Sequence, residues 1–356
     1  MPKIASRQID VIAPNFKRRL SGVTSTIIRL VPIQARDIAI AATGPALPDD
    51  LPQIPLSALL TMSRRGPSGW RVWHARRNVE MLAGLALRRL LGKRLKLLFT
   101  SASQRQHSGY TKWLIAQMDD VIATSARTAA YLERPAHVVH HGIDCGSFHP
   151  AADKPALRAE LGLPVTGPLI GCFGRIRAQK GTDVFVDAMI DICRTQPDVT
   201  GLVMGGTTDS HKAFLAGLKN RVAEAGLDGR ILFLPEVPVW ETARFYQVLD
   251  LYVAPQRWEG FGLTPIEAMA CAVPVVATRV GAFEELIVEG ETGRLVAADD
   301  LPALTAAVAD LLVDPDALPR MAPAARTHVE AQFRIETEAA RLNAIYRRLL
   351  GSEAPA

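Results

Sequence analysis

The chain has 356 residues, 48% of them hydrophobic, which is enough for two domains with separate cores. Its four cysteines, Cys145, Cys172, Cys193 and Cys271, contain no C-x-x-C pair, which argues against a zinc site and for a reducing compartment. The formal net charge of +5 is unevenly divided, with 23 Lys and Arg against 11 Asp and Glu in residues 1–165 and 18 against 25 in the remainder.

A short strand at 9–13 leads into a loop ending on Ser21-Gly22, and an apolar helix follows at 23–30. Gly22 sits at this first strand-to-helix turn, where an open α/β sheet presents backbone to a ligand. Residues 36–62 alternate short apolar runs, at 38–40 and 56–60, with Pro and Gly, and predict two strands with connecting loops. A basic helix is expected next, because the segment from Arg64 to Lys96 carries ten Lys and Arg against Glu80 alone, with Trp70 and Trp73 among them. Such a segment reads as a surface for anionic lipid or another polyanion, or as a solvated helix face whose arginine stems cover apolar neighbours. A strand at 95–100, a helix at 110–117, a strand at 121–124, a helix at 126–132 and a strand at 138–139 complete a first domain.

Residues 150–168 read as a linker with a short helix. Strands at 169–173, 201–204, 231–234, 251–254 and 275–277 then alternate with helices at 182–195, 210–225, 241–248 and 265–272, the pattern of a doubly wound parallel sheet. No tandem repeat or low-complexity tract interrupts it. No apolar run nears the roughly 20 residues needed to span a bilayer, and residues 1–10 lack a signal peptide's apolar core, so a soluble cytoplasmic protein is expected.

The chemistry concentrates after the 251–254 strand, in Arg257-Trp258-Glu259-Gly260-Phe261-Gly262-Leu263-Thr264-Pro265-Ile266-Glu267. Two carboxylates flank a glycine-bearing turn that opens a helix. Thr264 suits the N-cap, Pro265 suits the first helical position, and Gly260 and Gly262 let backbone N–H groups approach a phosphate or sugar oxygens. Thr264-Pro265-Ile266-Glu267 is equally a capping box, in which Glu267 reaches back to the cap's N–H; that leaves Glu259 and the two glycines unexplained. Arg175 and Lys180 follow the 169–173 strand and precede a helix, so both could reach one anion, or they form an ordinary basic loop. Asp314-Pro315-Asp316 reads as a turn rather than a metal triplet, and His140, His141 and His149 lack metal-ligand spacing.

Glu259 and Glu267 with Gly-Phe-Gly between them and Glu-Ala-Met-Ala following resemble the signature of family 4 retaining glycosyltransferases. The resemblance extends to residues 173–181, which look like that family's pyrophosphate-binding arginine and lysine segment. It also covers 281–296, where Ala282 replaces the second glycine, and His141-Gly142-Ile143-Asp144, where Asn is more usual at the first position. It implies an α/β protein of GT-B fold, two Rossmann-like doubly wound domains facing a cleft: an acceptor-binding domain at 1–165, a donor-binding domain at 166–335, and a final helix at 336–350 crossing back to the first. It further implies that Arg175 and Lys180 hold the donor diphosphate, Glu267 the ribose hydroxyls and Glu259 a sugar hydroxyl, while Phe261, Gly262 and Leu263 offer backbone N–H groups. Gly22 joins the donor-binding candidates.

The departing diphosphate would take the acceptor's proton, so that neither a protein nucleophile, a cofactor nor a metal is called for. Many members place a histidine near the end of the strand that here closes Phe99-Thr100-Ser101; His107, with Arg76 and Arg77, is the acceptor-side candidate in this chain. Residues 73–77 and 99–105 are most similar to lipopolysaccharide-core mannosyltransferases. That similarity implies GDP-mannose as donor with a UDP-sugar, UDP-glucose first, as runner-up; the basic first half of the chain, densest near Trp70 and Trp73, predicts an anionic lipid-linked acceptor and a peripheral position on the cytoplasmic membrane surface, with no nucleic-acid partner. A sugar-nucleotide 2-epimerase and a non-catalytic nucleotide-sugar or lipid-binding module are the alternatives.

Overall fold

The computed structural model describes residues 5–18, 22–238 and 240–351. In chain order the elements are β1 (Val11–Pro14), α1 (Gly22–Gln34), β2 (Ile40–Thr43), α2 (Ala58–Thr61), β3 (Arg71–Ala75), α3 (Asn78–Arg89), β4 (Leu95–Ser101), α4 (Gly109–Ala116), β5 (Asp120–Ala123), α5 (Ala126–Ala129) and β6 (His137–Val138). Next come α6 (Lys154–Glu160), β7 (Leu169–Phe173), α7 (Thr182–Thr195), β8 (Thr200–Met204), α8 (Lys212–Glu224), β9 (Ile231–Leu234), α9 (Thr242–Gln247) and β10 (Leu251–Ala254). The chain ends with α10 (Thr264–Ala270), β11 (Val275–Thr278), α11 (Phe283–Leu286), β12 (Gly293–Val296), α12 (Leu301–Val313), α13 (Ala317–Gln332) and α14 (Ile335–Leu350).

Two compact units result. The first comprises residues 1–142 with 335–356, the second residues 143–334. The first holds a parallel sheet in the order β2-β1-β3-β4-β5-β6, the second a parallel sheet in the order β12-β11-β10-β7-β8-β9. Each sheet is covered on both faces, as near-continuous apolar strands require. Val11 and Ala13 of β1 enter one core with α1 and α14, and Ile12 enters another with α3 and α4. In β7, Leu169 and Phe173 face one core while Ile170 and Cys172 face the other.

The division falls near residue 142 rather than 165, because the segment carrying α6 is tied to the second unit. The Arg158 guanidinium, itself buried, donates to the Val248 carbonyl at 2.7 Å and to Asp250 at 2.6 Å, and Lys154 donates to the Leu249 carbonyl at 2.8 Å. α14 belongs to the first unit, where Tyr346 is fully buried with its hydroxyl 2.6 Å from His74 Nδ1. Burial holds His74 well below the ordinary histidine range, with the charge of Arg76 adding to the effect, so this ring is neutral at physiological pH.

Two local expectations are corrected. The 56–60 run is not a strand but leads into α2, and the expected basic helix is interrupted by β3 before α3 begins. Arg71 lies in β3 and is fully buried, donating to the backbone carbonyls of Ile9, Ser63 and Ser6. Trp73 is also fully buried, its indole N–H on the Glu80 carbonyl at 2.8 Å, and Trp70 is covered by Arg94 and Lys96. Trp73 therefore has no exposed surface to offer a membrane. Among the described residues no helix is long and apolar enough to cross a membrane.

Candidate active site

In an open parallel sheet, ligands bind beyond the carboxyl ends of the strands where the strand order reverses. In the second unit that point lies between β7 and β10, since β8 and β9 extend from one side of β7 and β10 lies on the other. Arg175 and Lys180 follow β7, and Glu259 and Glu267 follow β10. The four candidates separated by up to 92 positions therefore flank one crevice. Lys180 and Glu259 meet across it: the ammonium is hydrogen-bonded to Glu259 Oε2, and Oε1 accepts the N–H of Gly260 at 3.0 Å. Arg175 is exposed and has no ion-pair partner among the described residues.

The two loops are clasped by Arg257, to which the sequence motif gives no role. Its N–H donates to the Gln179 carbonyl at 3.0 Å, and its guanidinium forks onto Asp183 at 2.7 and 2.9 Å and reaches Asp299 at 2.5 Å. Burial alone would raise the Asp183 carboxyl; the hydrogen bond and charge of Arg257 outweigh it and hold that carboxyl below the usual range. The same hydrogen bond raises Arg257.

Glu267 has a different support from the one its local sequence suggests. α10 starts at Thr264 with Leu263 in the cap position and no side-chain cap, so the capping box does not form. Glu267 Oε2 instead accepts from the Tyr246 hydroxyl at 2.9 Å, and Thr264 hydrogen-bonds the Tyr252 hydroxyl, which donates to the Phe173 carbonyl at 3.0 Å. Burial, and then the Glu267 charge, push Tyr246 well above the ordinary tyrosine range and keep it a donor. Phe173, Tyr246 and Tyr252 pack edge-on or tilted with centroids 5.0–5.9 Å apart, a rigid floor under the carboxylate.

Cys172, in β7, is pushed up to about 12 by burial, so it stays a thiol and is no nucleophile. The Phe261 side chain is buried and its carbonyl accepts from Ala282 at 3.3 Å, while the Leu263 carbonyl accepts from Glu267 at 2.9 Å. Gly262 has φ +92°, and a Cβ there would lie 2.2 Å from the Phe283 ring, so the turn admits no side chain at that point.

In the first unit the strand order reverses between β1 and β3, where Asn15, Arg76 and Arg77 emerge. Arg77 is built into the scaffold: it donates to the fully buried Glu80 at 2.7 Å, to Asn15 at 3.0 Å and to Thr24 at 3.2 Å. Glu80 also accepts the Arg76 N–H at 2.8 Å. Arg77 thus ties the ends of β1 and α3 together while still lining the adjacent cavity. Arg76, Arg77, Ser101, Ser103, Arg105 and His107 line a cavity of about 370 Å³. His107 Nε2 is buried with no hydrogen-bond partner, and burial, then Arg105 and Lys112, lower its pKa, leaving a neutral ring. The motif comparison left Arg105 without a role; the arginine two residues before His107 was the available signal.

Gly22 opens α1 in this unit; its carbonyl accepts from Thr26 at 2.9 Å, and a Cβ at Gly22 would meet nothing within 4 Å. Ser21 lies outside the described residues. His141 pairs with Glu338 of α14 at 2.9 Å, and Asp314 accepts the Asp316 N–H at 3.0 Å in a turn between α12 and α13. Among the described residues there is no group of three or more His, Cys, Asp or Glu arranged to hold a metal ion.

Two doubly wound units, one with cations and carboxylates facing across its switch point, define a glycosyltransferase of GT-B architecture. The structure superposes on sucrose-phosphate synthase from Thermosynechococcus elongatus with a TM-score of 0.78 over 98% of this chain and 100% of that one; at 24% identity the likeness is one of fold. Residues 153–328 match the family described as glycosyl transferases group 1. The chain is 53% identical over 355 residues to the lipopolysaccharide core biosynthesis mannosyltransferase LpsB of Rhizobium meliloti (strain 1021), covering 97% of this chain and 99% of that one. It is 52% identical to the mannosyltransferase LpcC of Rhizobium leguminosarum bv. viciae, covering 99% of each. The chain belongs to the glycosyl transferases group 1 family and is an enzyme of that class.

Proposed function

We propose that the enzyme transfers mannose from GDP-mannose, with retention, to an anionic lipid-linked lipopolysaccharide-core acceptor on the cytoplasmic face of the inner membrane. The observation that carries this is identity above half, over nearly the whole length, to two chains named lipopolysaccharide core biosynthesis mannosyltransferases. The second unit's switch point supports a sugar nucleotide as donor. Arg175 and Lys180 take the diphosphate, Glu267 on its Tyr246 support takes the ribose hydroxyls, and Glu259 takes a sugar hydroxyl, with backbone N–H groups of residues 261–263 beside them. Cations at the diphosphate stabilise the charge that develops on the leaving oxygen, the work a metal would otherwise do, so full activity in EDTA accords with this reading. A titration with GDP-mannose and UDP-glucose tests the donor. Thermal shift and transfer with GDP-mannose are expected; a response to UDP-glucose alone overturns the choice, and acceptor-independent isomerisation of either donor selects the epimerase alternative.

For the acceptor, Arg76, Arg105 and His107 offer two cations and one neutral ring to acidic sugar or phosphate groups. The membrane contact is best supported not by the Trp70 and Trp73 segment but by the outer face of α3 and α4. Val79, Leu82, Tyr110 and Trp113 are each about half exposed, Tyr110 stacks on Trp113 at 6.3 Å, and Asn78 donates to Thr111 at 2.8 Å. Asn78 and Thr111 also line the cavity, and Arg89 at the end of α3 is exposed. Aromatic and aliphatic side chains flanked by arginine suit the interface of an anionic bilayer. The protein should pellet with phosphatidylglycerol-containing vesicles and not with pure phosphatidylcholine ones, less so at high salt, and Leu82→Ser with Trp113→Ser should abolish pelleting. Equal pelleting of wild type and double variant removes the assignment of this face.

A further inference from the structure

The pairing of Lys180 with Glu259 sets two proposed donor ligands against one another. Both side chains are mostly buried, about a fifth exposed, and the Glu259 carboxylate is satisfied at both oxygens, by Lys180 and by the Gly260 N–H. Arg175 carries no such restraint. A diphosphate entering the crevice finds one cation available and one already neutralised. To use Lys180 it must either draw the ammonium off Glu259, leaving a mostly buried carboxylate short of a partner, or share the ammonium and accept a carboxylate a few ångströms from its own negative oxygens. Both are costly where water screens little.

An intact sugar nucleotide removes the difficulty, because sugar hydroxyls are donors and can replace the ammonium on Glu259. The nucleoside diphosphate left after transfer has lost those hydroxyls. We infer that Glu259 discriminates substrate from product: it competes with the diphosphate for Lys180, so the site holds the sugar nucleotide and sheds the nucleoside diphosphate. This rests on the donor reading above and adds a role for Glu259 beyond contacting the transferred sugar. No bond is made or broken in the step; a charge-assisted hydrogen bond changes partner.

The consequence runs against the usual effect of removing a binding-site residue. Glu259→Gln keeps the shape and a carbonyl oxygen but removes the charge that holds Lys180, so the variant should bind GDP more tightly than wild type, by about tenfold, although its turnover falls. Calorimetric titration of GDP and UDP into wild type, Glu259→Gln, Lys180→Met and the double variant reads this directly. The gain is expected in the wild-type background and should vanish in the Lys180→Met background, the signature of coupling through that lysine. A gain in affinity cannot come from misfolding. Equal or weaker GDP binding by Glu259→Gln overturns the inference alone, as does a gain that persists without Lys180. Failure of wild type to bind either nucleotide removes the donor reading and the inference together.

Discussion

Replacing Arg175 and Lys180 together by alanine is expected to lower kcat/KM for sugar transfer about a thousandfold or more while lowering the melting temperature by only a few degrees. In the proposed function each meets the diphosphate where its charge grows, and a preorganised group of that kind contributes about 2–4 kcal/mol to transition-state stabilisation, with 1.36 kcal/mol per factor of ten in rate. Arg175 is exposed and unpaired among the described residues, so its loss from the folded structure falls within about 0.5 kcal/mol. Lys180 has Glu259 as its partner; removing it leaves that mostly buried carboxylate with the Gly260 N–H, a cost of about 1–3 kcal/mol in stability. The damage should therefore be far larger in kinetics than in stability. Initial rates over a donor series, with a thermal melt as control, check both halves, and a fall of less than tenfold would detach these two cations from the leaving group.

The donor unit was legible because its strands are continuous apolar runs and its polar residues sit where those runs end, so β7 and β10 marked the places of Arg175, Lys180 and Glu259. Arg257 was not legible as a clasp, since its partner Asp183 lies 74 positions away and nothing periodic links them. The local alternative for Glu267 fails: Thr264-Pro265-Ile266-Glu267 satisfies the capping pattern, yet Leu263 occupies the cap position and the Tyr246 hydroxyl, brought in by α9, donates to the carboxylate.

The first unit hid more because its charges are inside. β3 carries Arg71 and His74, both buried, and a strand containing an arginine and a histidine among further arginines reads as a basic surface helix. What makes that burial tolerable is remote in sequence: carbonyls of Ser6, Ile9 and Ser63 for Arg71, and Tyr346 and Thr100 for His74. The acceptor candidates fared unevenly for the same reason. Arg76, Arg77 and His107 line one cavity, but the Arg77 guanidinium, indistinguishable from that of Arg76 by sequence, is already bonded to Glu80, and the exposed Arg105 joins them.

Gly181→Ala is expected to cost more stability than any single surface change in the donor unit and to abolish nucleotide binding with it. Gly181 ends the turn carrying Lys180 and precedes α7, at φ +68°, a conformation that costs an L-residue roughly 1–2 kcal/mol. A Cβ there would also lie 1.8 Å from the Pro255 carbonyl oxygen, and that neighbour is backbone, so relief requires the two loops to part. Pro255 leads through Gln256 into Arg257 and Glu259, so parting them strains the bond between the Arg257 N–H and the Gln179 carbonyl and moves Glu259 from Lys180. The total should reach about 3–5 kcal/mol, in the range of the most damaging core substitutions.

Gly226 separates strain from contact: its φ is also +68°, but a Cβ there meets nothing within 4 Å. Gly226→Ala should lose only the conformational part, about 1 kcal/mol, and bind GDP as wild type does. Urea melts of the three proteins and GDP titrations below their transitions give the comparison. Equal losses of stability at the two glycines, or unimpaired GDP binding by Gly181→Ala, would mean that the contact between Gly181 and Pro255 does not hold the two halves of the donor site in register.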